Sequence, residues 1–268
     1  MNINGTCISS TMDEFGPIFV YQTHTSRILS FDGIVQQSRM RLDDINGLSH
    51  GYTQAMMTGL FFIPALKTAT VMGLGAGSMV KNLLNSYAGL EVHAIEYREA
   101  VARTAKKYFH LPESDRLTIH IDDAVHYMKQ TNTKSDIIFS DLYNTKGMEP
   151  EQVQASYLHD CKNALNEQGV LVLNIWSKEI QSRDDIDELL ALEFENRLLR
   201  FEVETGNIIV LAFKNEIPSL QRKELLARGK RFEEIMNIPL ERYAKLLWST
   251  QKYKFGARQE TGIPRIAG

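Results

Sequence analysis

The 268-residue sequence has only two cysteines, Cys7 and Cys161, which is too few for a disulfide framework, and they stand in no metal-binding spacing. It has no excess of either charge: 30 Lys and Arg face 33 Asp and Glu, mixed along the whole length. No field of one sign therefore steers the chain to nucleic acid or to an anionic membrane. No uncharged apolar run approaches the roughly 18 residues of a membrane helix. The opening "MNINGTCISSTMDEFG" lacks the basic and apolar regions of a secretory signal. None of the seven histidines forms an H-x-x-x-H or H-E-x-x-H pair, so no metal is expected. Internal repeats and low-complexity tracts are missing too. These absences point to a cytoplasmic globular protein of one large or two smaller domains, with no membrane and no nucleic acid among its partners. Small molecules or other subunits are expected instead.

What is present is a change of rhythm near residue 68. Before it, "PIFVYQT" and "SRILSFDGIVQQS" carry β-branched and aromatic residues between the turn-prone pairs Thr25-Ser26 and Asp32-Gly33. They predict a small antiparallel β unit over residues 1–46. The run "GLSHGYTQAMMTGLFFIPAL" has helical spacing at Tyr52, Met56, Met57 and Leu60, and Pro64 closes it, so a helix is expected from Gly47 to Leu66. From residue 68, short apolar runs alternate with amphipathic ones, which signals βαβ units and a parallel sheet covered by helices on both faces. Two late strands, "RLLRFEVET" and "NIIVLAFK", are placed to close the sheet as an antiparallel hairpin. This α/β region is taken as 47–215. Residues 216–268 read as a polar helical extension ending in the irregular "GARQETGIPRIAG", with Lys252, Lys254 and Arg258 on a solvated or interface face.

In an open α/β sheet a ligand sits beyond the carboxyl ends of the strands. The first strand, in "TATVMGLGAGSMVKNLLN", leaves through Gly73, Gly75 and Gly77 into a helix. Glycines let a backbone approach a ligand closely, and a helix N-terminus offers unpaired N–H groups. The spacing is G-x-G-x-G, since Ser78 stands where a dinucleotide fingerprint has its third glycine. The next strand end supplies Glu96, placed either to accept both hydroxyls of a ribose or to serve the helix that begins near Arg98. The third supplies Asp122 and Asp123, as acceptors for an adenine amino group or as helix caps. The fourth delivers Asp141, bordered by Tyr143 and Asn144, to orient or deprotonate an amine or other nucleophile, or simply to shape a turn. His50 and Tyr52 either line an acceptor pocket or begin a packed helix. Met56-Met57 and Phe61-Phe62 read as core or subunit contacts.

The glycine loop, Glu96, Asp123 and Asp141 at successive strand ends resemble the class I S-adenosylmethionine-dependent transferases. Further motifs narrow the resemblance to the spermidine synthase (polyamine aminopropyltransferase) family. "FDGIVQQS" is similar to that family's L-D-G-x-x-Q hairpin, and "VMGLGAGSMVKNLL" stands in place of its G-G-G-D-G-G loop. "AIEYREAVARTAKKYF", "DRLTIHIDDAVHYMK", "SDIIFSDLYNTKGMEP" and "ASYLHDCKNALNEQGVLVLN" follow collinearly, so the resemblance covers about residues 15–213. It implies a Rossmann-like class I methyltransferase fold, a mostly parallel seven-stranded sheet preceded by the small antiparallel β unit. It implies a transferase that moves an aminopropyl group from decarboxylated S-adenosylmethionine, or a related S-adenosyl nucleoside, to an amine or other small acceptor. A homodimer or higher homo-oligomer, built partly through the β unit, is implied as well.

Carried over by position, the resemblance makes Gln36 a nucleoside contact and Gly73, Gly75 and Gly77 the cradle. Glu96 becomes the ribose acid, Asp123 with Ala124 the adenine site and Asp141 the catalytic carboxylate, while Tyr52, Tyr143 and Asn144 face the acceptor. Two acids of the family pattern are absent. Ala76 replaces the loop acid that holds the aminopropyl ammonium, and Asn144, followed by Thr145, replaces the acid that binds the far ammonium of a diamine. A charge-assisted hydrogen bond to a buried ammonium is commonly worth about 1.5–3 kcal/mol. A neutral loop also tolerates the carboxylate of intact S-adenosylmethionine better than an aspartate would. A methyltransferase, or a nucleoside-binding family member without catalysis, therefore stands as an alternative on the same fold.

Overall fold

In a computed structural model, the described residues are 3–144, 147–176, 183–204 and 206–255. Strands β1 (Thr6–Asp13), β2 (Gly16–Gln22), β3 (Ser26–Ser30) and β4 (Ser38–Arg41) form an antiparallel sheet in sequential order. β1 reads as turn-rich and polar, "TCISSTMD", and was not among the expected strands; it forms by pairing along β2 at the sheet's edge. Between β3 and β4 the Asp32 carboxylate accepts from the amides of Ile34 and Val35 and from the Ser30 hydroxyl, which fixes the turn.

The expected long helix over 47–66 is shorter. Helix α1 spans Gly51–Met56 and continues as a 3-10 segment, Met57–Phe62. The chain tightens there because it lies directly on a sheet: a Cβ at Gly59 would meet Val172 Cγ2 at 2.5 Å.

The second sheet has seven strands: β5 (Thr68–Met72), β6 (Glu91–Glu96), β7 (Leu117–Ile121), β8 (Ser135–Ser140), β11 (Leu165–Trp176), β12 (Leu198–Glu202) and β13 (Asn207–Phe213). A two-stranded ribbon, β9 (Tyr143–Asn144) with β10 (Gly147–Met148), follows β8. The order is β12-β13-β11-β8-β5-β6-β7. β13 runs antiparallel to both β11 and β12 while the other pairs are parallel, so the late hairpin closes the sheet as the sequence predicts.

Period-two alternation sorts the strand side chains to two faces. Val71, Ala94, Phe139, Val172 and Leu211 face one cluster, with α1, α2 (Ser78–Ser86), α7 (Arg222–Met236) and α8 (Leu240–Gln251) packed against it. Met72, Ile95, Ile138, Leu173 and Val210 face the other, beneath α4 (Ala124–Gln130), α5 (Ala155–Ala164) and α6 (Arg183–Glu193). The pairs Met56-Met57 and Phe61-Phe62 are buried in the first cluster. A third cluster joins the small sheet, through Ile18, Val20, Leu29 and Met40, to Ala76 and to Val101 of α3 (Glu99–Tyr108). The segment "GARQETGIPRIAG" with Arg258, Thr145 and the side chain of Asn144 lie outside the described residues.

Candidate active site

The carboxyl ends of β5, β6, β7 and β8 open on one edge of the sheet, and the glycine loop, Glu96, Asp123 and Asp141 follow directly on those strands. Gly73, Gly75 and Gly77 all have left-handed backbone, with φ of 87°, 53° and 74°. Side chains are excluded by space as well. A Cβ at Gly73 would strike the Asp141 carbonyl oxygen, and one at Gly75 would lie 2.6 Å from Ser38 Oγ. Gly77 then caps α2. The alternate glycines are thus required by a loop squeezed between β8 and β4, and its amides are brought to the sheet's carboxyl edge.

Glu96 is buried at the end of β6. Its carboxylate accepts from the Arg98 amide at 3.0 Å and the Gly75 amide at 3.3 Å, and the Leu74 amide also favours its charged form. Burial nevertheless raises its pKa, with the amides opposing. A carboxylate offers about four lone-pair positions. Three amide donors leave room for one further hydroxyl unless the loop shifts.

Asp123 acts as the N-cap of α4, accepting from the His126 amide at 2.9 Å, and its exposed outer edge remains accessible. Asp122 accepts from the Asp123 amide and contacts His126 Nδ1. Ala124 is buried in the first turn of α4. Gln36 is exposed on the segment entering β4. The residue that touches the loop from β4 is Ser38, whose hydroxyl accepts from the Ala76 amide at 3.2 Å.

Ala76 is fully buried in the apolar cluster shared with Ile18, Val20, Leu29, Met40 and Phe109. An acid there would carry its charge into that cluster, so packing of the small sheet supplies a reason for alanine that is independent of any substrate.

Asp141 leaves β8 half-buried, with its carboxylate set against Asn174 and Tyr52. Burial raises its pKa to about 6, while Asn174 Nδ2, donating to Oδ1 at 2.8 Å, and the nearby Tyr52 hydroxyl pull the other way. Burial and the adjacent carboxylate push the Tyr52 phenol well above its ordinary range, so it remains a donor. The His50 ring stacks on Tyr52 at 5.7 Å between centroids. Tyr143 donates to the Asn174 carbonyl at 3.4 Å. Ser38 and Asn174 were not anticipated. Asn174 had a visible signal, one carboxamide inside the apolar run "GVLVLNIW"; Ser38 had none. Two surface clefts, of about 280 Å³ beside Tyr87 and Phe232 and about 560 Å³ beside Lys129 and His159, lie away from these loops.

A seven-stranded sheet of this order, with a glycine loop after its first strand and acids at the next three strand ends, defines a transferase of the Rossmann-like class I methyltransferase fold. Within that class the chain belongs to the spermine/spermidine synthase family. The spermine/spermidine synthase domain model matches residues 49–191. The polyamine aminopropyltransferase of Neisseria meningitidis serogroup A is 30% identical over 231 residues, 85% of this chain and 88% of that protein. Solved structures share the fold. A spermidine synthase in complex with the transition state analogue AdoDATO superposes with a TM-score of 0.70 at 15% identity, covering 93% of this chain and 88% of that one. Human methyltransferase-like protein 13 in complex with SAH superposes at 0.64 and 22% identity, covering 71% of this chain and 94% of that one.

Proposed function

We propose that this protein transfers an aminopropyl group from decarboxylated S-adenosylmethionine to a small amine. The observation that carries this reading is the half-buried Asp141 carboxylate, which adjoins the glycine loop and is flanked by Tyr52 and Asn174. The residues present suit an S-adenosyl nucleoside: a loop whose three glycines leave no room for a Cβ, an acid held by that loop's amides, and an exposed aspartate at the next strand end.

The donor's sulfonium supplies an electrophilic carbon. An amine lone pair forms the new C–N bond as the C–S bond breaks; methylthioadenosine leaves neutral, and the proton lost from nitrogen goes to Asp141. An alkylammonium of pKa about 10.4 does not protonate a free carboxylate readily. Raising Asp141 from 3.8 to about 6 closes that gap by about 3 kcal/mol. The carboxylate holds the ammonium by charge and takes one of its protons, which frees the nitrogen lone pair that then attacks as the C–S bond breaks. Gly73, Gly75 and Gly77 cradle the nucleoside and Gln36 contacts it, Glu96 meets its ribose, Asp123 and Ala124 its adenine, and Tyr52, Tyr143 and Asn144 the amine. Incubation with decarboxylated donor and a panel of amines is expected to release methylthioadenosine. No release with any amine would reject the assignment.

One observation favours methyl transfer from intact S-adenosylmethionine as a second reading: no residue of the loop from Gly73 to Ser78 is acidic, so the loop carries no charge to repel a donor carboxylate. Calorimetry with both donors separates the two, since aminopropyl transfer requires tighter binding of the decarboxylated one. We further place the protein in the cytoplasm as a homodimer or higher homo-oligomer, a state that light scattering reads directly.

A further inference from the structure

Asn174 lies in β11 between Leu173 and Ile175 and is 1% exposed. A carboxamide in such a run is costly unless its donors and acceptors are matched. They are matched in one direction only. Its Nδ2 donates to Asp141 Oδ1 at 2.8 Å, and its Oδ1 accepts from Asn207 Nδ2 at 2.9 Å. Asn207 opens β13, 8% exposed, and pairs diagonally with Asn174 across the antiparallel ladder. The three residues therefore sit at the same edge of three adjacent strands, β8, β11 and β13.

An ionised carboxylate only accepts, so Asn174 must turn its NH₂ group toward Asp141. Its oxygen then faces β13, where the Asn207 NH₂ group receives it. The flipped carboxamide would set oxygen against carboxylate and NH₂ against NH₂. Beside this chain, Gln152 Nε2 donates to the Asn174 carbonyl at 3.3 Å, and Gln152 Oε1 accepts from Ser140 Oγ, which also bonds the Tyr157 hydroxyl. The backbone on both sides of the Asp141–Asn174 contact is thereby fixed.

We propose that Asn207 is a positioning residue: acting through Asn174, it locks that carboxamide with its donor against Asp141 and so sets the carboxylate's orientation and proton affinity from two strands away. The proposal rests on the reading of Asp141 as the proton acceptor, and it makes a claim about Asp141 that needs no turnover to test.

The experiment follows the Asp141 carboxyl by carbon-13 NMR across pH, with Asp141→Asn identifying the resonance. The near-isosteric Asn207→Leu removes the lock without adding charge. Its expected result is an upward move of the Asp141 midpoint by about half a unit or more, because the charged form loses a held donor. Asn207→Asp recruits the Asn174 NH₂ group to itself and is expected to move the midpoint further. Measured in an Asn174→Leu background, Asn207→Leu is expected to add nothing. An unmoved midpoint in a folded Asn207→Leu protein overturns the relay, as does an equal shift with and without Asn174. In an active enzyme the acidic limb of kcat moves by the same amount while KM for the nucleoside holds. Should the midpoint move in a protein that turns over no amine, the relay stands and the catalytic reading of Asp141 fails.

Discussion

A carboxyl group with a pKa of about 6 is a liability to folding and an asset to proton transfer, and burial brings Asp141 to that value. Its folded value lies above its unfolded one. Its contribution to stability is therefore fully present below about pH 4 and is lost as the pH rises through about 6. Asp141→Asn is expected to raise the melting temperature at pH 8, with the difference closing toward pH 4, while turnover falls by roughly 10²-fold or more. Melts across pH and methylthioadenosine release measure the two halves. Wild-type turnover in Asp141→Asn would remove the catalytic role. In the native enzyme kcat/KM is expected to rise with an acidic limb near pH 6, because only the ionised carboxylate accepts a proton.

At the scale of elements, the glycine loop is held by contacts on several sides. β8 presses on Gly73, Ser38 of β4 holds the Ala76 amide, and Glu96 of β6 takes the Gly75 amide. Gly73→Ala adds a left-handed alanine and a collision with backbone, and is expected to cost about 2–5 kcal/mol of stability. Urea unfolding reads this cost. Glu96→Gln places an NH₂ group among amide donors and is expected to cost about 1–3 kcal/mol and to weaken nucleoside binding, which calorimetry checks. The short continuous apolar runs "ATVMGL" and "SDIIFSD", together with the glycine spacing, made this edge legible because strand and loop are encoded by neighbouring residues. Helix α1 was overextended because its repeat continues through Met57–Phe62, where contact with the sheet forces the tighter 3-10 path.

Across the whole molecule, the small sheet is tied to the large one by a nearly buried ion pair. The Arg98 guanidinium donates to both Asp13 oxygens, at 3.0 and 2.7 Å, and to the Gly16 carbonyl, and it lies 4.7 Å from the Phe31 ring centre. Burial alone would raise the Asp13 pKa, but Arg98 and the Phe15 amide outweigh it and hold the carboxyl below its ordinary value. Its stabilising contribution is therefore present above about pH 4 and lost as the pH falls through the folded value. Removing one member of a buried pair costs about 3–5 kcal/mol. Arg98→Met is expected to lower the melting temperature by roughly 10 °C at pH 7 and to open the first 46 residues to protease. An unchanged melt and digest would show that the apolar cluster around Ala76 suffices. On the opposite side, Lys81, its pKa pushed down to about 8 by burial, donates to the Ile45 and Phe109 carbonyls and holds the connecting segment.

By itself the sequence determined the alternation of strands and helices, the parallel sheet with its antiparallel closure, the glycine loop after the first strand and the acids at the next three strand ends. Each depends on residues only a few positions apart, where hydrophobic period and backbone sterics act directly. Tertiary structure alone decided that Ala76 faces the small sheet's core, that Ser38 reaches the loop, and that Asn207 turns its amide to Asn174 and Asn174 its own to Asp141. Those partners are 33 to 38 residues apart in sequence, and Asp13 and Arg98 are 85 apart. No local pattern records such distances. Folding brings them together, and the cost of burying an unmatched polar group then fixes which way each side chain must turn.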